Sequence, residues 1–323
     1  LSLEAKLDLL DMLERYAGYG WTRTAVCRKW EISLQIFRSL KKEAPRSGRP
    51  RRTRLNAVTD EEKRNVIQYA LTHTELNHRE MTFRMIDGDV AFLSTSSVYR
   101  ILRENNLLKR RRVKERIVKW DPHSSLSGPD EVWQTDLMVL TFEGRDYYLL
   151  SYFDVYSRFV VYDEICSSMT GDTIRNASER AVKETGRKPK VIQSDNGSCY
   201  VSSEFRSFIG RSEIEHRQIH PHCPNENAEI ERYHRTVREL VDPSDAGNYT
   251  ALLDLVKERI RYYSYERYHS AVGYVTPYDM YCGRAEAILE SRKRKLQRAK
   301  ENRIKANLEK MKAAENDQHK KAA

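Results

Sequence analysis

Glu131 to Ile165 reads EVWQTDLMVLTFEGRDYYLLSYFDVYSRFVVYDEI. Three runs rich in Val, Leu, Phe and Tyr are separated at hairpin spacing, with GRDYY and VYSR supplying the turns. This predicts three consecutive antiparallel strands. Downstream, helix and strand alternate: an amphipathic helix (TGDTIRNASERAVKET), a strand (KPKVIQSD), a short helix (SSEFRSFIG), a short strand (EIEHRQI) and a further helix within HPHCPNENAEIERYHRTVREL. The expected fold class is therefore α/β, a mixed five-stranded sheet with helices on both faces.

Three acids in this region call for a chemical account. Asp136 sits inside the first strand, where a charge is costly unless something matches it. Asp195 ends the strand KVIQSD just before Asn196-Gly197, at the carboxyl end of a strand, where ligands bind in open α/β sheets. Glu231 lies beside the apolar stripe Ile230, Tyr233, Val237 and Leu240 of the last helix. Thr135 and Leu137 point away from the face that carries Asp136, so strand and helix each bury apolar groups while presenting one acid. Taken singly, most Asp and Glu are solvated or capping. Three converging on one point would repel one another, and a divalent metal relieves that repulsion. Oxygen-only ligands favour Mg²⁺ or Mn²⁺ over zinc. Two ions about 3.5–4 Å apart would serve an in-line phosphoryl transfer.

Working outward, the chain of 323 residues suits two or three domains. Residues 1–44 read as all-helical. Leu3, Leu7, Leu10 and Leu13 share one face; Thr22 and Ser33 are candidate caps; Ala25, Val26, Trp30, Ile36, Phe37 and Leu40 supply a small core. This is a helix-turn-helix pattern whose second helix, from about Leu34 with Gln35 and Arg38, is expected to enter the major groove. A basic Gly/Pro/Arg linker at 45–56, with Arg49, Arg51 and Arg52, suits a minor groove or a solvated tether. Residues 57–108 read as a second helix-turn-helix. Thr59 caps its first helix, and Arg100 follows a Ser-Thr-Ser-Ser run that suits phosphate contacts. A second basic linker spans 109–128, beginning Lys109, Arg110, Arg111. The α/β region covers 129–245, a helical, aromatic-rich extension 246–283, and a charged helix or tail 284–323 that is a candidate to bind DNA or another protomer.

The net charge is +10, gathered in three blocks between or after the foldable segments. Each block alone is also what a soluble tether looks like; together they point to nucleic acid. The Arg-rich linkers suggest domains tied together by DNA more than by each other. No run of about 18 apolar residues suggests a membrane span, and no signal peptide is legible. Five dispersed cysteines without a CxxC pair argue for a reducing cytosol and against disulfides or structural zinc.

The motifs WQTDL, FDVYSRFVV, QSDNGSCYVSSEF and NENAEIERYHRTVREL resemble the catalytic core of the retroviral integrase superfamily. Asp195 and Glu231 have 35 intervening residues, a spacing shared with retroviral integrases and many insertion-sequence transposases. YYSYERYHSAVGYVTPYDMY is similar to the tract that closes the core in transposases of the insertion-sequence-three family. The resemblance covers roughly residues 129 to 282. It implies a ribonuclease-H-like fold and the roles of a metal-binding DDE triad for Asp136, Asp195 and Glu231. It implies DNA contacts for Arg238, seven positions after Glu231, for Asn227 and for Arg235, and a turn at Asn196-Gly197. The histidine-cysteine zinc module of retroviral integrases has no counterpart, because His73 and His78 lack a nearby cysteine pair.

Several other polar residues are expected to serve structure. Asp154 is read as ordering a turn, Glu226 and Glu229 as solvated, Cys199 and Cys223 as small packing residues, and His220 and His222 as loop or DNA-contact residues.

The expectation is a cytoplasmic, nucleoid-associated bacterial transposase. It would bind terminal inverted repeats, cleave donor strands and join 3′-hydroxyl ends to target DNA, as a homodimer or larger synaptic assembly. The alternatives are a sequence-specific DNA-binding protein whose integrase-like core is silent, and a ribonuclease-H-type nuclease without strand transfer.

Overall fold

The structure is a computed structural model and describes residues 15–16, 22–29, 55–108, 126–220 and 223–322. The chain divides into two compact units, Leu1–Leu55 and Asn56–Ala323. In the first, helix α1 (Arg23–Lys29) starts after Thr22, whose hydroxyl accepts the Ala25 N–H at 3.3 Å. The rest of the expected first helix-turn-helix, including Gln35 and Arg38, lies outside the described residues. So do Arg49, Arg51, Arg52, Lys109, Arg110, Arg111 and His222.

The second unit begins with three helices, α2 (Asp60–Thr72), α3 (His78–Asp87) and α4 (Thr95–Glu104). Thr59 and Glu62 form a reciprocal capping box on α2, and Asn77 and Ser94 cap the other two. Val66, Met81, Met85, Leu93, Val98, Ile101 and Leu102 fill the space between them.

Strands β1 (Val132–Phe142), β2 (Arg145–Asp154) and β3 (Val160–Cys166) follow as consecutive hairpins. Glu143 and Gly144 join the first pair with φ of +48° and +73°. Two successive positive φ angles match the twist of the flanking strands, and glycine takes the second at no steric cost. After helix α5 (Gly171–Thr185), strand β4 (Val191–Ser194) pairs parallel to β1. Helix α6 (Ser203–Ser212) leads to β5 (Glu215–Gln218), parallel to β4. The sheet order is β3-β2-β1-β4-β5, so β1, with Asp136, is central. This is the ribonuclease-H-like mixed sheet.

Alternation along β1 divides the core in two. Met138, Leu140 and Phe142 pack against helices α7 (Ala228–Leu240) and α8 (Tyr249–Tyr265). Trp133, on the other face, packs with α5 and α6. In α7, Ile230, Tyr233 and Val237 are buried as the stripe requires, while Glu231 is exposed. Of the tyrosines of the extension, Tyr263 is buried against Tyr233 and Tyr265 is 45% exposed.

A short helix α9 (Pro277–Tyr281) precedes the last one, α10 (Ala285–Ala322). The charged run of α10 is not solvated all round. Arg292 is 4% exposed and grips Asp87 at 2.6 and 2.8 Å, while also donating to the carbonyls of Gly273 and Tyr274. Arg303 bonds Glu62, Asn56 and the Phe92 carbonyl, and Asn307 bonds the Ala57 carbonyl. The protein itself thus fastens α10 to the three-helix module, where the linkers had suggested attachment chiefly through DNA. Arginine makes this possible: its apolar stem packs while its fork meets carboxylates and carbonyls. Among the described residues no helix is long and apolar enough to cross a membrane.

Candidate active site

Asp136 emerges from the middle of β1 toward α7, with 23% of its side chain exposed. Its Oδ1 accepts the Leu137 N–H at 2.8 Å, and its Oδ2 lies 3.3 Å from Nδ1 of His234. Asp195 directly follows β4. Its Oδ1 accepts the Gly197 N–H at 3.0 Å, and a Cβ at Gly197 would lie 3.0 Å from that oxygen, so any larger residue would press on the carboxylate. Asn196 fastens the same turn by donating to the Ile219 carbonyl at 3.0 Å. Burial holds the Asp195 carboxyl above the usual carboxylate range; the Gly197 N–H opposes this, and the negative charge of Asp136 adds to it. The two aspartates therefore sense each other. No Lys or Arg pairs with either among the described residues.

Glu231 stands in the first turn of α7. The start of that helix is tied to both aspartate strands. Gln134 on β1 and Gln193 on β4 are register partners, and each is two residues before its aspartate. Both are buried, and both donate to the carbonyl of Glu226, Gln134 at 2.8 Å. The Gln134 side-chain oxygen accepts the Ile230 N–H at 3.0 Å. The position of the third acid is thus coupled to the first two. Even so, no three His, Cys, Asp or Glu side chains stand close enough to hold a metal ion among the described residues. The structure brings Asp136 and Asp195 together and places Glu231 on the neighbouring helix without closing a three-acid cage.

The expected DNA contacts fare differently. Arg235 and Arg238 are exposed on α7, and Arg100 is exposed on α4, bonding Ser97. Asn227 is not on an accessible face. It is 3% exposed, because the helix start is pressed onto β1 and β4, and its Oδ1 is buried without a hydrogen bond.

Glu226 and Glu229 are not simply solvated. Glu226 accepts from the His220 backbone and ring, and Glu229 takes the Gln134 amide and an ion pair with Arg158 at 3.4 Å. Cys223 is exposed rather than packed, whereas Cys199 is buried. Asp154 orders its turn as expected: it accepts from the backbone of Asp130 and from the backbone and hydroxyl of Ser157. Gln134, Gln193 and His234 were missed. One signal for the glutamines is in the chain, the repeated tripeptides Gln134-Thr135-Asp136 and Gln193-Ser194-Asp195.

Two family models described as integrase core domain match residues 127–224 and 212–277. A transposase for insertion sequence element IS904 of Lactococcus lactis is 28% identical over 47% of this chain and 62% of its own length. An uncharacterized protein of insertion element IS476 from Xanthomonas euvesicatoria is 23% identical over 66% of this chain and 62% of its own. The chain thus spans about 62% of the length of these curated relatives. Among solved structures, the HTLV-2 integrase catalytic core domain in complex with magnesium aligns with a TM-score of 0.41 and 20% identity, over 48% of this chain and 97% of that one. Together the two integrase-core matches take in residues 127–277 of this chain.

Proposed function

We propose that the protein is an insertion-sequence DNA transposase, acting in the bacterial cytoplasm on the nucleoid. Its substrates are the element's terminal inverted repeats and target DNA, and it works as a homodimer or larger synaptic assembly. The observation that carries this reading is the pair Asp136 and Asp195. Two carboxylates on adjacent parallel strands of an integrase core feel each other's charge, with no Lys or Arg set against them among the described residues.

Such a pair fits a divalent cation. Its donors are all oxygen, which suits Mg²⁺ or Mn²⁺, and Glu231 is the third ligand in this reading. Two bound ions would supply Lewis-acid stabilisation of charge on the phosphate and on the attacking and leaving oxygens. The chain's own residues do the rest. Asp136 and Asp195 fix the position of the site on a rigid sheet. Gln134 and Gln193 hold the start of α7 so that Glu231 is presented to them. Arg235 and Arg238 follow Glu231 along α7 and offer exposed guanidinium groups to the DNA backbone. Ser97 and Arg100 on α4 offer a hydroxyl and a fork to phosphate or base edges.

One observation favours a second reading, a sequence-specific DNA-binding protein with a silent core: the three acids do not stand as one ready-made ligand set. Purified protein with Mg²⁺ and duplexes carrying candidate element ends separates the two. We expect cleavage by the native chain, retained binding but lost cleavage by Glu231→Gln, and a strand-transfer product joined to a second plasmid. Equal cleavage by both proteins removes Glu231 from the mechanism. Binding without cleavage by the native chain selects the silent core, and cleavage without joining selects a nuclease.

A further inference from the structure

His234 is the least expected polar residue near the site. It lies one helical turn after Glu231, on the buried side of α7, and is 3% exposed. Its Nδ1 faces Oδ2 of Asp136 at 3.3 Å, just beyond a formed N–H···O bond. Its Nε2 is buried and has no hydrogen-bond partner.

A bare Nδ1 would set its lone pair against a carboxylate oxygen that can only accept, so the contact calls for a proton on Nδ1. Nε2 meets no partner whether it carries a lone pair or a proton. A buried acceptor without a partner costs roughly as much as a lost hydrogen bond. Phenylalanine would fill much the same space without that cost. The imidazole is therefore a poor choice for packing alone and a good one for directing a carboxylate.

We propose that His234 is a positioning residue for Asp136. Its Nδ1 stands 3.3 Å from Oδ2 while the Leu137 N–H bonds Oδ1, so each carboxylate oxygen has one neighbouring nitrogen of this chain. Each oxygen keeps a second lone pair for a cation. The inference rests on the metal-site reading above, and deepens it by naming the residue that orients the first ligand. Outer-shell partners of this kind typically change metal affinity 10–100-fold when removed.

The test is titration of Mg²⁺, and separately Mn²⁺, into the full chain by calorimetry, with denaturant unfolding of each variant in parallel. His234→Phe is expected to be at least as stable as the native chain yet to bind Mg²⁺ about 10–100-fold more weakly. That split is what a merely structural histidine would not produce. His234→Asn and His234→Leu leave similar cavities and differ in one amide donor, so any folding defect common to both cancels. We expect the asparagine variant to bind within a few-fold of the native chain and the leucine variant to bind like phenylalanine. Equal Mg²⁺ affinity for the asparagine and leucine variants, or native affinity in His234→Phe, overturns the role of His234. If Asp136→Asn abolishes binding in that same experiment, the metal-site reading survives. A native chain that binds neither ion removes the metal site and the role of His234 with it.

Discussion

Asp87 and Asp136 are both carboxylates turned largely inward, 26% and 23% exposed. Their surroundings differ. Asp87 is met by Nε and Nη2 of Arg292 and by the Tyr268 hydroxyl at 2.6 Å. Asp136 is met by one backbone amide and a histidine at 3.3 Å, and its charge is felt by another aspartate, Asp195. At the first place the protein neutralises its own charge, and the result is a joint between α10 and the three-helix module. At the second it leaves two carboxylates without a Lys or Arg partner among the described residues, and it is there that we propose a cation binds. Removing a partner from the first should cost folding; removing an acid from the second should cost chemistry.

Substitution at the unmatched pair carries the largest expected effect. Asp195→Asn should lower cleavage of an end-containing duplex by about a thousandfold or more, on the scale of losing a charge-stabilising group. Its thermal midpoint should stay level or rise, because one of two repelling charges is gone. A fall in stability without a fall in cleavage would erase the distinction between the two aspartates. Next comes the matched pair. Arg292→Met should destabilise by about 3–5 kcal/mol in a urea titration, because Asp87 is left without its counter-charge. Adding Asp87→Asn to that variant should recover part of the loss. A single variant as stable as the native chain would mean that the joint is decorative.

The smallest effect lies between the two cases. Asp163 is in the same cross-sheet row as Asp136, through Ser151 on β2. Burial pushes its carboxyl up to about 6, and the charge of Lys257 opposes this only in part. The folded state then holds the proton more tightly than the unfolded chain, whose value is about 3.9. Its contribution to stability is fully present below about pH 4 and is lost as pH rises through about 6. Asp163→Asn should therefore match the native chain at pH 4 and exceed it by about 1–3 kcal/mol at pH 7.5. A gap that stays constant with pH would mean that Asp163 is already matched.

The same contrast explains what was legible in the sequence. The three hairpin strands follow from apolar runs at hairpin spacing, although the first turn is Glu143-Gly144 and most of GRDYY lies in β2, and the stripe of α7 follows from its period of 3.6. Asp136 and Asp195 stood out because an acid inside a strand, or at the end of one, conflicts with local preference. Local patterning cannot identify a partner that lies far along the chain. Arg292 meets Asp87 across 205 positions and Arg303 meets Glu62 across 241, so α10 read as a charged helix or tail for DNA or another protomer. Gln134 and Gln193 carry no local signal that a single carbonyl, contributed by Glu226, accepts from both. Asn227 read as a surface residue for the complementary reason: nothing nearby in sequence reveals that a helix start is pressed onto two strands.

The fastening of α10 has a mechanical corollary. Arg292 and Arg303 are three helical turns apart, about 16 Å along one rod. A body pinned at two such points can neither swivel about the rod nor slide along it. If α2 to α4 read the element's terminus and the sheet cuts it, the stretch of duplex between them is measured by a stiff gauge. An added or deleted base pair must then be accommodated by twisting the DNA, not by flexing the enzyme.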